Sequence, residues 1–226
     1  MVTAESGRMH TPFLQMLSAQ DADALLRLGT ARAFGGKLAL AHEHQVPDRV
    51  FLLRSGWVKV CSTTAEGKDV ILALRGRDDL VGELSALDAR PRSASIVTLV
   101  PVEAAVLPAA GFREFLLGHP AAALALLETL SGRLRDADAG RKEQVELTTW
   151  SRLVLRIVEG AERFGEPDGD VVEFRLFTQQ ELADWTGASL ESVGRALQMM
   201  RELGWIETAR GTIRVLDLEA LRRAAD

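Results

Sequence analysis

The sequence predicts an α+β chain in which a β-rich N-terminal half, a long helix and a mainly helical C-terminal part follow one another. Three observations indicate this order. Short β-rich runs alternate with glycine-containing turns up to residue 107, apolar residues then take helical spacing, and two capped short helices precede a hairpin near the end. The 226 residues allow one large domain or two small ones. The composition, 47% apolar and 26% charged, is ordinary for a globular protein with a buried core.

The N-terminal half has the pattern of an all-β structure. Ser18, with Asp21 three residues later, is predicted to open a short helix that runs to about residue 29. Glycine- or proline-containing turns recur after it, and β-rich runs lie between them, at residues 50–53, 58–60, 70–74, 95–100 and 102–107. Evenly spaced short strands with such turns predict a barrel or jelly roll.

Helices are predicted from residue 109 onward. A short helix over residues 109–117 ends at His119-Pro120, and a long helix covers residues 120–149. Its apolar residues recur at spacings of 3, 4 and 3, at Leu127, Leu130, Leu134 and Ala137. Such a seam packs either on the helix's own β domain or on a second copy of the helix, and we expect a dimer. The predicted domains are residues 1–119, 120–149 and 150–226.

The last predicted domain contains two short helices joined by a tight turn. After a helix over 150–164, an acidic turn over 165–170 and a strand over 171–177, Thr178 and Glu181 form a capping box. The helix that they start stops at Gly187, and Ser189 caps a second helix over 190–203. This arrangement is typical of a helix-turn-helix. A hairpin over 205–216, which turns at residues 209–211, adds the wing of a winged helix, and a terminal helix follows from Asp217.

The second helix of this motif carries side chains suited to reading bases. Glu191, Arg195 and Gln198 are spaced to share its outer face. Arginine bonds guanine O6 and N7, and glutamate accepts from cytosine N4. The same face could be only a solvated Glu–Arg pair, but the surrounding helix, turn and wing favour DNA. The candidate DNA-contacting residues are Thr178, Ser189, Leu190, Glu191, Arg195, Gln198 and Arg210.

The charge of this module argues for weak DNA binding by one copy. The whole chain carries a net charge of −5, and residues 174–215 contain five arginines and five acidic residues. Because phosphate contacts normally dominate DNA affinity, a neutral module needs dimeric avidity or well-placed arginines.

A second motif, in the β-rich half, has the residues of an anion cradle. Gly82-Glu83-Leu84-Ser85 is followed after a short interval by Arg92-Ser93-Ala94. Gly82 lets backbone amides approach a ligand, and residues 84–87 can form a helical turn whose N-terminus faces an anion. Arg92 offers a fork suited to phosphate, and Glu83 can accept from a sugar hydroxyl. A surface loop with a Glu–Arg pair is the alternative.

These motifs together resemble a known family. The segments at residues 34–36, 48–56, 82–84 and 91–94 look like a cyclic-nucleotide-binding β-roll, and residues 11–215 resemble the cAMP receptor protein / fumarate-nitrate regulator family. The resemblance implies a homodimer with a β-roll sensor, a dimerisation helix and a winged helix that binds a palindromic operator in double-stranded DNA. It makes RNA polymerase a candidate partner. It also implies ligand contacts at Gly82, Glu83, Leu84, Arg92, Ser93 and Ala94.

Departures from the family leave the effector open. Where the cAMP receptor has a Thr-Ser pair for adenine, this chain has Ala137-Asp138, and Asp138 could accept from guanine. The effector is therefore cAMP, cGMP, a cyclic dinucleotide or none; the alternatives are a constitutive DNA-binding factor and a regulatory partner of another protein. Leu190 replaces a base-reading arginine, so we expect a different operator.

Several classes of function are not expected from the sequence. No run of about 18 apolar residues predicts a membrane span, and no nucleophile–base pair indicates an enzyme. Cys61 is the one cysteine, so it can form neither an internal disulfide nor an iron–sulfur cluster alone, and the protein is expected to be cytoplasmic. No haem or metal site is expected either. A ligand in the β-roll is expected to reach the long helix near residues 133–138.

Overall fold

The computed structural model describes residues 11–169, 171–174, 178–209 and 211–225. They fall into two compact units, of which the first ends at Arg135 and the second begins at Asp136, inside the long helix. The division into three domains over residues 1–119, 120–149 and 150–226 stays a prediction.

The first unit is built from two antiparallel sheets and the helices around them. The sheets have the strand orders β1-β8-β3-β6 and β2-β7-β4-β5. In chain order the elements are α1 (Ala19–Leu28), β1 (Thr30–Phe34), β2 (Ala39–Ala41), β3 (Arg49–Ser55), β4 (Val58–Thr63), β5 (Asp69–Arg75), β6 (Leu80–Val81), α2 (Glu83–Asp88), β7 (Ser95–Thr98), β8 (Val102–Pro108), α3 (Ala109–Gly118) and the beginning of α4 (Pro120–Glu146).

Strand β3 lies at the centre of this unit and is buried on both faces. Phe51 and Leu53 point into the core between the two sheets. Val50 and Leu52 point the other way, into a core shared with the helices. Alternate residues of a strand face opposite sides, which explains why the predicted run at 50–53 is continuously apolar. The helix predicted at Ser18 is confirmed, since the Ser18 hydroxyl accepts from the Asp21 amide at 3.1 Å.

The second unit is a helical module with a small sheet of strand order β11-β12-β10-β9. It includes the end of α4, followed by α5 (Thr149–Phe164), β9 (Glu166–Asp168), β10 (Val171–Phe174), α6 (Gln179–Thr186), α7 (Leu190–Glu202), β11 (Ile206–Ala209), β12 (Thr212–Val215) and α8 (Leu218–Ala225). Leu153, Ile157 and Phe174 are among its buried residues.

The structure corrects several element boundaries. The long helix ends at Glu146 rather than 149, because the Thr148 hydroxyl accepts from the Ser151 amide at 3.1 Å and starts α5. The predicted acidic turn at 165–170 contains strand β9, paired with β10. Of the strand predicted at 171–177, residues 171–174 form β10, and residues 175–177 lie outside the described part.

Within the described residues, no single helix is long and apolar enough to cross a membrane. The pair α3 and α4 meets that test only together, and it is bent by 113° at its break.

Candidate functional site

Gly82 connects β6 to α2 in a conformation that suits glycine. Its φ is 81°, in the left-handed region, where it forms the N-cap of α2. A Cβ placed on Gly82 would lie 2.4 Å from Nη1 of Arg92. The backbone angle therefore favours glycine here, and the guanidinium of Arg92 occupies the space that a side chain would need.

Arg92 is a buried cation whose bonds go to the backbone. Its guanidinium lies against Gly82, and the residue is 3% exposed. Nη1 donates to the carbonyl oxygen of Gly82 at 2.7 Å, and Nη2 donates to that of Arg49 at 2.5 Å. Its buried Nε has no hydrogen-bond partner among the described residues. Burial lowers the pKa of Arg92, and the carboxylates of Asp48 and Glu83 oppose this only in part. An unneutralised, partly unbonded guanidinium of this kind favours an anionic ligand.

Glu83 is also buried, and an arginine of the long helix already contacts it. Oε1 of Glu83 accepts from Nη1 of Arg133 at 2.7 Å. Nη2 of Arg133 donates to the carbonyl of Leu80 at 2.9 Å and lies 3.7 Å from Oδ1 of Asp79. Arg133 therefore fastens the helix α4 to the turn that carries Glu83.

The sequence predicts that a ligand reaches the long helix near residues 133–138, but it indicates no separate role for Arg133. A usable signal existed, because Arg133 follows the buried Ala122, Leu126 and Thr129 at helical spacing. A cation on the buried face of a helix needs a carboxylate partner, and Glu83 is that partner.

The remaining predicted ligand residues differ in exposure. Ala94 is buried, Ser93 is exposed, and Leu84 is 49% exposed on α2. The fold thus brings Gly82, Glu83 and Arg92 together, as the spacing predicted. Asp138 belongs to the second unit, where its exposed carboxylate pairs with Arg141 at 3.4 Å.

The two helices predicted for DNA binding are present with their caps. The Thr178 hydroxyl accepts from the Glu181 amide at 3.1 Å, and the Thr178 amide donates to the Glu181 carboxylate at 2.9 Å. Helix α6 ends at Gly187, whose φ is 66°. The Ser189 hydroxyl then accepts from the Ser192 amide at 3.1 Å and starts α7. The helix-turn-helix is confirmed in this geometry.

Comparison with known proteins decides the family. The family pattern of the cyclic nucleotide-binding domain matches residues 32–119, and that of the Crp-like helix-turn-helix domain matches residues 151–224. A CRP-like cAMP-activated global transcriptional regulator of Mycobacterium tuberculosis is 30% identical over 184 residues, which is 81% of this chain and 82% of that protein. The chain belongs to the Crp-Fnr family of transcriptional regulators.

Other relatives of this regulator cover nearly its whole length. The cyclic AMP receptor protein of Thermus thermophilus is 26% identical over 216 residues, 95% of this chain and 97% of that one. The structure of the c-di-GMP responsive regulator CLP of Xanthomonas campestris matches with a TM-score of 0.75 at 20% identity, over 88% of this chain and 99% of that one. At this identity the second match shows the shared fold.

The outer face of α7 in this regulator is polar and internally paired. Nη1 of Arg195 donates to the Glu191 carboxylate at 2.5 Å, and both side chains are well exposed. Nε2 of Gln198 donates to Glu202 at 2.9 Å. Leu190 is 49% exposed. These side chains therefore face solvent, where a duplex could contact them.

In the described residues of the wing, the positive charge of Arg214 is paired with carboxylates. Strands β11 and β12 pair up to Ala209 and Thr212, so the turn lies where it was predicted; Arg210, predicted to contact DNA, lies outside the described residues. Arg214 lies 2.8 Å from Glu207, and its other carboxylate neighbours are Asp168 and Glu173 at 3.5 and 3.7 Å. Nη1 of Arg201 donates to the Thr208 hydroxyl at 2.9 Å.

Helix α4 exposes an apolar stripe, in a register that corrects the predicted seam. Leu130 is half-buried against the core of its own unit, although it was predicted to lie in the seam. Leu124, Leu127 and Leu134 are 57%, 60% and 63% exposed. Together with the exposed Ser131 they keep the spacing of 3, 4 and 3 residues.

Proposed function

We propose that this regulator is a homodimer whose affinity for DNA is set by a cyclic nucleotide bound at the cassette of Gly82, Glu83 and Arg92. The observation that carries the proposal is the buried guanidinium of Arg92, which is bonded to two backbone carbonyls and keeps an unpartnered Nε. A cyclic phosphate supplies the negative charge that this position lacks. Ser93 would add a hydroxyl, and Leu84 and Ala94 would line the cassette.

The sugar of the nucleotide would bind at Glu83. A carboxylate has about four acceptor positions, so Glu83 can keep its bond from Arg133 and accept from a sugar hydroxyl as well. Any ligand that changes the Glu83–Arg133 bond acts on α4 directly, because Arg133 is a residue of that helix. This gives the effector a route to the long helix.

The base of the nucleotide determines which effector is used. The relatives are described as cAMP-activated or, in one structure, c-di-GMP responsive. Asp138 carries acceptors that would complement N1–H and N2–H₂ of guanine. We therefore take cAMP, cGMP and c-di-GMP as the probes to compare.

Calorimetric titration of the full-length chain with these three nucleotides tests the cassette. We expect one of them to bind the wild type and to lose at least about tenfold in affinity in Arg92→Gln, because a charged bond to phosphate is removed. Arg90→Gln is the matched control, since Arg90 lies two residues away and its side chain is 83% exposed. Binding to none of the three would leave a constitutive DNA-binding factor. That alternative is favoured by Ala137-Asp138, which lack the hydroxyls of the Thr-Ser pair that contacts adenine in the cAMP receptor.

The DNA partner would be a palindromic operator, read by one α7 from each protomer about 34 Å apart. Thr178 and Ser189 lie at helix starts, where hydroxyls and amides contact phosphates, and Arg195 and Gln198 would face base edges. Because Arg195 and Arg214 are paired with carboxylates and Arg201 already donates to Thr208, we expect few phosphate contacts and a shallow dependence of log Kd on log salt. Anisotropy titrations of a labelled duplex over a salt series measure that slope.

The homodimer would form through the stripe of Leu124, Leu127, Ser131 and Leu134 on α4. Three leucines exposed on one helix face favour association with a second copy of that helix. RNA polymerase is a further candidate partner, and we place the regulator in the cytoplasm with its DNA. We assign it no catalytic role, in keeping with relatives that are transcription regulators.

A further inference from the structure

The end of α4 and the two helices that follow it meet around one buried cation in the second unit. Nη2 of Arg156, on α5, donates to Oε2 of Glu143, on α4, at 2.6 Å. Nη1 donates to Oε2 of Glu159, on α5 itself, at 2.6 Å. The guanidinium carbon lies 5.3 Å from the ring centre of Trp185, on α6. A single side chain therefore contacts three helices, and the third is the first helix of the helix-turn-helix.

The charges around Arg156 are largely shielded from solvent and balanced, with two arginines and two glutamates. Glu159 also accepts from Nη1 of Arg163 at 2.7 Å. The side chains of Arg156, Glu143, Glu159 and Arg163 are 13%, 19%, 18% and 19% exposed. Burial acts to raise the pKa of Glu159, but the two guanidiniums outweigh it and hold the pKa below its ordinary value. Removing one partner from such a cluster is costly if it leaves a buried charge unpaired.

The two carboxylate contacts of Arg156 respond differently to a movement of α5. Glu159 is three residues from Arg156 on the same helix, so this contact survives any rigid movement of α5. Glu143 lies on α4, and the chain leaves the helical conformation between the end of α4 and Thr149, where α5 begins. The contact between Arg156 and Glu143 must therefore break if α5 turns relative to the end of α4. When it breaks, Arg156 keeps Glu159. The contact between α4 and α5 can therefore open while Arg156 remains paired with a carboxylate.

The backbone beside the cluster is held at the same place. Nη1 of Arg152 donates to the carbonyl of Leu147 at 2.8 Å, and its Nε donates to that of Thr186 at 3.0 Å. Nε2 of Gln144 also reaches the Thr186 carbonyl, at 3.4 Å. Thr186 ends α6 immediately before the turn at Gly187. The turn of the helix-turn-helix is thus held from both α4 and α5.

We propose that Arg156 is a positioning residue for DNA binding: shared between Glu143, Glu159 and Trp185, it fixes the orientation of the helix-turn-helix on the end of α4, and its contact to Glu143 opens when that orientation changes. The inference rests on the proposed DNA binding, and it does not depend on which effector the cassette takes. The variant that tests it is Glu143→Gln, which removes the interhelical charge while Arg156 keeps Glu159.

A distance measurement tests the orientation directly. Spin labels are placed at Val145→Cys on α4 and Met199→Cys on α7, which are 86% and 49% exposed, in a full-length Cys61→Ala background diluted with unlabelled chain. We expect one narrow distance distribution in the parent and a broad or shifted one in Glu143→Gln. The matched control is Glu146→Gln on the same helix, where the side chain is 57% exposed and pairs with Lys142. Equal distributions in all three proteins would overturn the proposal.

DNA binding and thermal unfolding separate positioning from plain stabilisation. With a duplex that the wild type selects from a random pool, we expect Kd to change about threefold or more in Glu143→Gln, because the fraction of molecules in the bound orientation changes. The melting temperature should stay close to that of Glu146→Gln. The effects of Arg156→Lys and Glu143→Gln on Kd should be less than additive, because the two substitutions share the contact between Arg156 and Glu143.

The possible failures of this experiment are distinguishable. An unchanged Kd, or a Kd that follows a fall in stability, would reduce Arg156 to a structural role. If the wild type selects no duplex, the proposed function fails, while the spin-label distances still decide the positioning role.

Discussion

The substitution Gly82→Ala tests the geometry of the cassette quantitatively. Placing alanine at a φ of 81° costs about 1–2 kcal/mol, because L residues with a Cβ are strained in the left-handed region. The new methyl carbon would also lie 2.4 Å from Nη1 of Arg92. Arg92 must move, and its 2.7 Å bond to the Gly82 carbonyl is lost. A hydrogen bond to a charged group is worth about 1.5–3 kcal/mol, so the free energy of unfolding should fall by about 2.5–5 kcal/mol.

The matched control is Gly67→Ala in the same unit. Gly67 has a φ of 79°, but a Cβ there meets no atom within 4 Å. It carries the backbone strain without the collision, and we expect a loss of only about 1–2 kcal/mol. The difference between the two variants is then the contribution of the Arg92 contact.

Urea unfolding is monitored by pulsed hydrogen exchange, and the deuterium uptake of the peptide that contains β8 reports the unfolding of the first unit. This gives the stability of the first unit separately from that of the second. In an Arg92→Ala background, Gly82→Ala should cost no more than Gly67→Ala. If Gly82→Ala is already no more harmful than Gly67→Ala in the wild type, Arg92 does not lie under the Gly82 carbonyl and the argument for the cradle is wrong.

Three further substitutions have clear expected results. Arg195→Ala should cost about 1–3 kcal/mol on the best duplex and relax one base position in a selection experiment; an unchanged base preference would exclude base reading by Arg195. Leu127→Asp should give a monomer in sedimentation. The control is Leu72→Asp on β5, because Leu72 is 57% exposed and Leu127 is 60% exposed; this variant should keep the association state of the wild type. Equal behaviour of the two variants would contradict the α4 dimer. Glu159→Gln should lower the melting temperature of the second unit at neutral pH. The reason is that the pKa of Glu159 lies below its ordinary value of 4.5, so its ionised form stabilises the fold above that pH and this contribution is lost as the pH falls through the lowered pKa. The difference in stability between the wild type and Glu159→Gln should therefore begin to shrink below about pH 4.5 and disappear below the lowered pKa of Glu159, and a constant difference across the pH range would contradict this.

Local signals in the sequence predicted most of the second unit and the motifs. The capping box of Thr178 and the cap at Ser189 are short-range hydrogen-bond patterns, so sequence alone locates the start of α6 and α7. The pair Gly82 and Arg92 was found because residue type and spacing both fit an anion cradle. These features depend on few neighbours and are readable from residue order.

Strands that depend on their neighbours were missed. Strand β1 is largely exposed and carries no apolar alternation, and β6 has two residues; each is a strand because β8 or β3 supplies its partner. Strand β9 contains proline and two acids, which reads as a turn. Tertiary pairing overrides local propensity in such segments.

The sequence also does not predict which distant residues form ion pairs with one another. Glu83 and Arg133 are 50 residues apart, and Glu143 and Arg156 are 13 apart across a helix break. Helical spacing marks Arg133 as inward-facing, but residue order does not identify the carboxylate with which either arginine pairs. The same holds for the seam on α4, where Leu130 looked equivalent to Leu134 until the fold placed it against its own core.

The central claim is that a nucleotide at Arg92 controls DNA binding, and the measurement that tests it most directly is the Kd for a selected duplex with and without saturating nucleotide. We would compare the wild type with Arg92→Gln, using cAMP, cGMP and c-di-GMP in turn. The account predicts a change of about 5–150-fold in the wild type with one nucleotide and no change in Arg92→Gln. An identical Kd with and without every nucleotide in the wild type, or an undiminished response in Arg92→Gln, would contradict it.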